Sequence, residues 1–189
     1  MDHDSADRRL ADVVDWMRSH YFGKYRGIVV DTDDLSRQGR IQVRVPAVLG
    51  DVEVWAMPCV PYAGDSVGLY LMPETDAGVW VEFEGGDPTY PVWTGFFWGS
   101  GQLPLTLPMA GIKVLRTEAH TIRLDDDQGE LLVSADSGAE TAYTSEAKTT
   151  AGTSTHTVSA TSVSSSNGTG SVEVSITGTK VDGSALEVT

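Results

Sequence analysis

Two acidic clusters are the first residues whose type and spacing could do chemistry. Residues 125–127 are consecutive aspartates with Glu130 close behind them, and Asp31, Asp33 and Asp34 form a second group. Carboxylate oxygens are the ligands that Ca²⁺ prefers, but neither cluster has the spacing of an EF-hand loop. We interpret the first cluster as a solvated turn between two strands and the second as a plain loop between strands, and the sequence predicts no metal and no cofactor.

Nucleophilic catalysis is the second kind of chemistry to consider. It requires a serine or a cysteine beside a base and an orienting group. Serine is plentiful in this chain, whereas there are only four histidines and one cysteine, Cys59. A single cysteine excludes an internal disulfide and a cysteine-based zinc site, and its apolar neighbours predict a small buried side chain. The sequence therefore predicts that the protein is not an enzyme.

The net charge restricts the partners that the chain could attract. Thirteen lysines and arginines oppose 27 aspartates and glutamates, which gives a formal charge of −14. Nucleic acid and anionic membrane surfaces attract clustered basic residues, so neither is expected as a charge-driven partner. No stretch approaches the roughly 20 apolar residues of a spanning helix, and the acidic N-terminus predicts no secretory leader. We expect the protein to contact a target membrane only transiently.

The element that organises the chain is a predicted hairpin over residues 77–98. Val79, Val81 and Phe83 alternate with Trp80 and acidic residues, which is the period of a strand. A Gly-Gly-Asp-Pro turn at 85–88 reverses the chain, and a second strand follows. This hairpin holds three of the five tryptophans and three of the four phenylalanines. The core built from large residues should therefore close here.

A helix over residues 5–20, with a serine as its N-cap, is predicted ahead of the strands. Its apolar residues fall at the spacing of one helical stripe. They are Leu10, Val13, Val14 and Met17. A helix this short is marginal by itself, so its stripe should lie on a surface, which is either its own domain or a partner subunit.

Further strands are predicted between this helix and the hairpin. Gly39 to Val45 alternates cleanly and ends at Pro46, which cannot donate to a ladder. The other extended runs are residues 25–31, 52–59 and 67–72. Five or six strands in this span indicate a small closed β-barrel or a sandwich, and periodicity does not decide between the two.

The chain from residue 112 onward consists of short alternating segments between Gly-, Asp- and Asn-containing turns. Serine and threonine supply 20 of the 40 residues from 141 to 180, a composition that is also found in disordered tails. However, valine and isoleucine recur at every second position where they occur, and threonine is a good strand residue. The pattern favours β structure.

This C-terminal part is too poor in large apolar residues to bury its own apolar face. If three copies wind around one axis, the inward side chains meet their symmetry mates and the sheet edges are closed. We therefore infer an obligate homotrimer with a stiff C-terminal needle. Candidates for the needle interior are Ile122, Leu124, Val172, Val174 and Ile176.

Several segments of the first half resemble one known family. They are YRGIV at 25–29, GRIQVRVP at 39–46, WAMPCVPYAG at 55–64, VWVEFEGGDP at 79–88 and PVWTG at 91–95. This order is similar to that of the phage baseplate assembly protein V family, the central tail spike of contractile tails. The family is related to the spike part of VgrG proteins and of extracellular contractile injection systems. The resemblance covers residues 22–98.

The resemblance implies an all-β protein: an N-terminal helix, an OB-fold barrel and a C-terminal trimeric, intertwined β-helix needle. It also implies a homotrimer under the baseplate hub protein, driven through the target envelope when the sheath contracts. Under this interpretation, the helical stripe is the candidate for hub docking. OB-folds often stack bases on aromatic residues, but the charge argues against that here. Candidates for the barrel core or trimer interface are Trp55, Val79, Trp80, Val81, Phe83 and Trp93.

Two features of some relatives are missing from this sequence. The lysozyme domain that some carry between barrel and needle has no room in residues 99–111, and no His-x-His pair for a tip iron site occurs. We expect a trimeric platform at the end of the needle, formed by Leu186 and Val188 and capped by a separate PAAR-type tip protein. An ion on the needle axis is compatible with the sequence but is not predicted.

The predicted organisation has four parts. They are a hub-docking segment at 1–22, an OB-fold domain at 23–98, a linker at 99–111 and a spike at 112–189. The expected location is the tail baseplate of a virion, with assembly in the cytoplasm. Two alternatives stay open: the spike of a bacterial contractile injection system, and an OB-fold binding module with a flexible Ser/Thr-rich tail.

Overall fold

A computed structural model describes residues 3–105 and 109–182. The chain divides into two compact units, Met1–Gln102 and Leu103–Thr189. The division falls inside the predicted linker at 99–111. Leu186 and Val188, the candidates for the tip platform, lie outside the described residues.

The first unit contains one longer helix, seven strands and two short helical turns. Helix α1 is His3–Ser19 and α2 is Pro46–Leu49, and a 3-10 turn covers Glu84–Gly86. The strands are β1 Tyr25–Asp31, β2 Ile41–Arg44, β3 Glu53–Pro58, β4 Ala63–Gly64, β5 Val67–Gly68, β6 Gly78–Phe83 and β7 Pro91–Phe97.

Five of these strands close into a barrel in the order β1-β2-β3-β7-β6. All pairs are antiparallel except β3 and β7, which run parallel where Met57 pairs with Val92. A five-stranded Greek-key barrel of this kind is the OB-fold. The choice between barrel and sandwich, which periodicity left open, is therefore decided in favour of the barrel.

The barrel interior is filled by alternate residues of the five strands. The burial pattern of β6 alternates at every position from Gly78 to Phe83, as its sequence predicts. The buried residues are Val29, Ile41, Val43, Val45, Ala56, Val79, Val81, Phe83 and Trp93. Branched side chains predominate because they fill a small barrel without needing hydrogen-bond partners.

Several predicted boundaries differ from the structure by one or two residues, and three predictions differ in kind. Helix α1 begins at His3, so Ser5 lies inside the helix and is not its N-cap. The strand expected over 67–72 is only Val67–Gly68, which pairs with Ala63–Gly64 in a separate two-stranded ribbon. Pro46 ends β2 as expected, but it also begins the short helix α2, because proline suits the first helical turn.

The loop between β1 and β2 is held together by the carboxylate of Asp34, whose side chain is only 5% exposed. Arg40 donates to its Oδ1 through Nε and Nη2 at 3.1 and 2.8 Å, and the Ser36 hydroxyl donates at 2.6 Å. The Gln38 amide donates to Oδ2 at 2.8 Å. These donors, Arg40 foremost, hold the pKa of the Asp34 carboxyl far below its usual range.

Asp34 should make the stability of the barrel depend on pH. The pKa of the Asp34 carboxyl in the folded protein lies below its unfolded value of about 3.9. The stabilisation that the ionised carboxylate gives to the fold is therefore complete above that pH and is lost as the pH falls below it. We expect Asp34→Asn to lower stability at pH 7 and to flatten the decline on acidification. Denaturant unfolding followed by tryptophan fluorescence measures this, since all five tryptophans lie in the first unit. Asp33→Asn, at an exposed neighbour, is the control; equal acid sensitivity of the wild type and Asp34→Asn would contradict the prediction.

The described residues of the second unit form a nine-stranded antiparallel sheet in which every strand pairs with its neighbours in sequence. Tight turns join the strands, and Gly129 and Gly168 adopt positive φ in two of them. The strands are β8 Ile112–Arg116, β9 His120–Asp125, β10 Glu130–Ala135, β11 Glu140–Tyr143, β12 Ala147–Ala151, β13 Ser154–Val158, β14 Ser162–Ser166, β15 Ser171–Ser175 and β16 Gly178–Asp182. The Ser/Thr-rich residues are thus folded into strands, which disfavours the flexible-tail alternative.

Candidate functional site

The two faces of the nine-stranded sheet differ sharply in chemistry. Residues that pair across strands share a face, so the register assigns every strand position to one side. Leu115 pairs with Ile122, which pairs with Val133, and the same side continues through to Val181 at the far edge. We call this side the apolar face and the opposite side the polar face.

The apolar face is exposed in the single chain. Eleven of its large apolar side chains have exposed fractions between 36 and 52%. They are Leu115, Ile122, Leu124, Leu131, Val133, Tyr143, Val158, Val163, Val172, Val174 and Val181. An apolar sheet face is normally packed against a second layer, and a contiguous exposed patch of this kind marks an interaction surface.

Charge is segregated onto the polar face. Within the described strands of this sheet, the register places all five acidic residues there, and Lys113 is the one charged Lys, Arg, Asp or Glu side chain on the apolar face. The acidic residues are Asp125, Glu130, Glu140, Glu173 and Asp182. Arg123 contacts Asp125 and Glu130, and Lys180 pairs across the strands with Glu173. Apolar faces of two copies can therefore meet without bringing carboxylates together.

The predicted needle-interior residues divide into two groups in this structure. Ile122, Leu124, Val172 and Val174 all lie on the apolar face. Ile176 lies just beyond the end of β15 and is 87% exposed, so it is outside the paired rows. Sequence reasoning missed further residues of the same face, such as Val158 and Val163, because isolated valines among serines give a weak alternation signal.

The apolar stripe of helix α1 is a second exposed surface. Leu10, Val13 and Met17 are 53–64% exposed, and Val14 is partly covered. Trp16, which the stripe pattern did not include, is half exposed beside them. The alternative in which the stripe packs on its own domain is therefore not what the structure shows.

The C-terminal end of α1 is fixed to the barrel unit. The Trp16 ring lies 4.4 Å from the His20 ring and 5.7 Å from that of Phe22. The Tyr21 amide donates to the Gly86 carbonyl at 2.7 Å, and a Cβ on Gly86 would lie 2.9 Å from the Phe22 ring. Glycine at this position lets the Phe22 ring approach, so the exit of the helix is anchored while its stripe stays open.

The six barrel candidates occupy different environments. Val79, Val81, Phe83 and Trp93 lie in the core, where the Trp93 Nε1–H donates to the Gly39 carbonyl at 3.2 Å. Trp80 and Trp55 are only partly buried on the outside of the barrel. Their rings lie 5.4 Å from the guanidinium of Arg26 and 5.5 Å from that of Arg40, which are cation–π contacts.

An apolar groove of about 770 Å³ runs beside β7. Leu69, Leu71, Phe96 and Trp98 are among its lining residues and are exposed. Cys59 also lines it and is exposed, so the expectation that this thiol is buried was wrong. The lining residues, all within the described part of the chain, include no histidine to act as a base for the thiol.

Residues 64–68, Gly-Asp-Ser-Val-Gly, fit the G-x-S-x-G pattern of hydrolases, and Ser66 has a positive φ of 59°. That pattern is meaningful where the serine stands between a strand and a helix. Here it lies in the turn of the β4–β5 ribbon, and the Ser66 hydroxyl donates to Asp65 at 3.1 Å. Among the hydrogen bonds of the described residues, none joins the Ser66 hydroxyl to a histidine, the base that the hydrolase mechanism needs.

The acidic clusters also have structural partners. Asp125 accepts from the Gln128 amide at 3.0 Å, and Lys113 contacts Asp126. Across the described ranges 3–105 and 109–182, no group of three or more potential ligands from one chain is placed to hold a metal ion. Within the same ranges, no helix combines the length and apolar character needed to cross a membrane.

The architecture defines a class of protein: an OB-fold barrel followed in the chain by a β-sheet unit whose described strands expose an apolar face. Residues 25–98, which span the barrel, match the family model of the type VI secretion system/phage-baseplate injector OB domain. This match supports the resemblance of the segment to the phage baseplate assembly protein V family. No curated protein matches the chain. The barrel segment is thus similar to a structural domain of phage baseplates and type VI injectors.

Proposed function

We propose that the protein is the homotrimeric central spike of a contractile tail baseplate, with the nine-stranded sheet as its needle. The observation that carries this proposal is the exposed apolar face. Burying it would contribute roughly 25 cal/mol for each Å² of apolar surface removed from water. Because the described strand residues of this face carry no carboxylate, copies of the chain can cover one another despite the net charge of −14.

The length of the strands favours three copies. Strands β12 to β15 have five residues each, which corresponds to about 17 Å. In a triangular prism with sides of about 17 Å, each sheet lies about 5 Å from the axis, which is half the usual 10 Å between packed sheets. Three such sheets can therefore fill the interior with one set of side chains. The resemblance to the baseplate assembly protein V family also implies three copies.

Light scattering of the purified full-length chain tests the proposal. We expect a mass of about three times the 20.2 kDa of one chain. Circular dichroism should show β structure that melts together with the trimer. A soluble monomer would overturn the proposal and favour an OB-fold binding module, whereas a stable dimer would overturn the three-sided needle.

We further propose that helix α1 docks the spike to the baseplate hub protein. Its stripe is exposed and its C-terminal end is anchored by Trp16, His20 and Phe22, so the helix is held in place while its apolar side stays available. Docking beneath the hub would place the spike at the end of the tail tube. Sheath contraction could then drive it through the target envelope.

Charging the stripe should abolish hub docking without loosening the barrel. We expect the double variant Leu10→Glu/Met17→Glu to lower incorporation into assembled tails by about 100-fold or more, because two buried apolar side chains are replaced by charges. Incorporation is measured by immunoblot of purified tails from cells that lack the native protein. Asp12→Lys, away from the stripe, is the matched control and should incorporate normally. Normal incorporation of the double variant would rule out docking through the stripe.

The far end of the needle is proposed to bind a separate PAAR-type tip protein through a platform that includes Leu186 and Val188. A density map of the assembled tail end with nothing beyond Thr189 would rule this out. The spike of a bacterial contractile injection system is the second candidate setting, because the matched family covers both kinds of apparatus. Genes for capsid and sheath proteins beside this one would favour the virion.

A further inference from the structure

The middle of one row of the apolar face, between Val133 and Val172, is polar. Thr141 pairs with Thr149, Thr149 with His156, and His156 with Ser165, so four neighbouring strands place a hydroxyl or an imidazole side by side. The adjacent row is apolar at the matching strands. It reads Tyr143, Ala147, Val158 and Val163. A polar band on a face that is otherwise built for burial needs partners of its own.

Hydrogen bonds within the band satisfy part of this need. The hydroxyls of Thr141 and Thr149 lie 3.1 Å apart, and the Nδ1 of His156 lies 2.8 Å from the hydroxyl oxygen of Ser165. When Nδ1 donates to Ser165, the imidazole Nε2 carries a free lone pair. Metal-binding histidines commonly have this arrangement, in which a hydrogen bond to one ring nitrogen fixes the tautomer and orients the other.

His156 is also the middle residue of the five-residue strand β13, and its side chain is exposed on the apolar face. In a three-sided prism the middle of each strand is the part nearest the axis. An imidazole that starts about 5 Å from the axis reaches most of the way to it. Three symmetry-related Nε2 atoms would then converge on one point.

We propose that the three His156 side chains of the homotrimer form an axial site for a divalent transition-metal ion of the Zn²⁺ class. This inference rests on the proposed homotrimer, because one chain supplies only one ligand. Three neutral imidazoles at about 2.0–2.1 Å are a known zinc-ligand set, with a fourth position left for a water molecule or an anion. The net charge of −14 per chain favours a cation in the assembly.

The site would pin the three chains in register at the middle of the sheet. The apolar residues of the adjacent row attract without direction, so they do not by themselves fix the height of one chain against the next. Three imidazoles around one ion do fix it. The metal should therefore stabilise the trimer selectively over the separated chains.

Metal content and mass measured on the same sample test the proposal. Tag-free full-length protein is stripped with a chelator, incubated with Zn²⁺, desalted and analysed by elemental mass spectrometry and light scattering. We expect about one ion per three chains and a higher melting temperature with Zn²⁺ than without. With Co²⁺ in place of Zn²⁺, visible absorption bands should report nitrogen coordination.

Variants localise the site. His156→Ala should lose the bound ion and the metal-dependent rise in melting temperature, and Ser165→Ala should weaken metal binding by about 10-fold or more. His120→Ala, which removes a histidine from the same face outside the polar band, should keep both. A trimer that binds no metal, or one that binds it equally well after His156→Ala, would overturn this inference and leave the trimer intact. A monomeric protein would overturn both.

Discussion

Val174→Asp should prevent or severely weaken trimer formation. Val174 lies on the apolar face between Val163 and Thr179 and is about half exposed in one chain. In the proposed needle the change buries a carboxylate from each of three chains near the axis, and the two residues that pair with position 174, Val163 and Thr179, carry no positive charge. Leaving a buried charge without a partner costs about 3–5 kcal/mol at each site. The expected result is a monomer by light scattering, or a trimer that melts at a much lower temperature.

Thr157→Asp is the matched control for this prediction. It introduces the same side chain in place of another β-branched residue, but on the polar face, where position 157 pairs with Lys148. The trimer should therefore keep its mass and melt within a few degrees of the wild type. If both variants have the same mass and melting temperature, the difference between the two faces has no role in assembly. If Val174→Asp melts like the wild type, the side chain at position 174 faces water.

Much of the barrel could be predicted from the sequence because local and global signals agree there. β1 begins and ends where the sequence predicts, and the alternation of Val79, Val81 and Phe83 matches the burial of β6. The length of the strand predicted over 67–72 was overestimated. An apolar run favours an extended backbone, but it does not show whether a neighbouring strand is available to pair with it. That partner was available only as far as Gly68.

The surfaces that carry the proposed function were only partly predictable. The stripe of α1 and the even spacing of Val172 and Val174 are visible in the sequence. The polar band is not, because Thr149, His156 and Ser165 become neighbours only through the register of successive hairpins. The sequence of a short strand shows which of its residues share a face. Which residues of the neighbouring strands lie beside them depends on the length of every turn before that strand.

Trp93→Ala should be the most damaging single change in the barrel. The side chain is 4% exposed, and its indole N–H donates to the Gly39 carbonyl, which ties β7 to the start of β2. Removing it leaves a large cavity and an unpaired carbonyl in a small barrel. The expected loss is about 3–5 kcal/mol in the free energy of unfolding. The four remaining tryptophans all lie in the first unit, so fluorescence during denaturant unfolding reports on this part of the chain.

Trp80→Ala provides the comparison within the same hairpin. Trp80 lies on the outer side of the barrel, where its ring packs 5.0 Å from Phe97 and lies under the Arg26 guanidinium. Its loss should cost about 1 kcal/mol, since much of the ring stays in contact with water and a cation–π contact is worth only about 0.5–1 kcal/mol at such sites. If Trp80→Ala proves equally damaging in the trimer, the outer side of β6 must be covered by another copy. Trp80 would then belong to the trimer interface, which the burial of a single chain does not reveal.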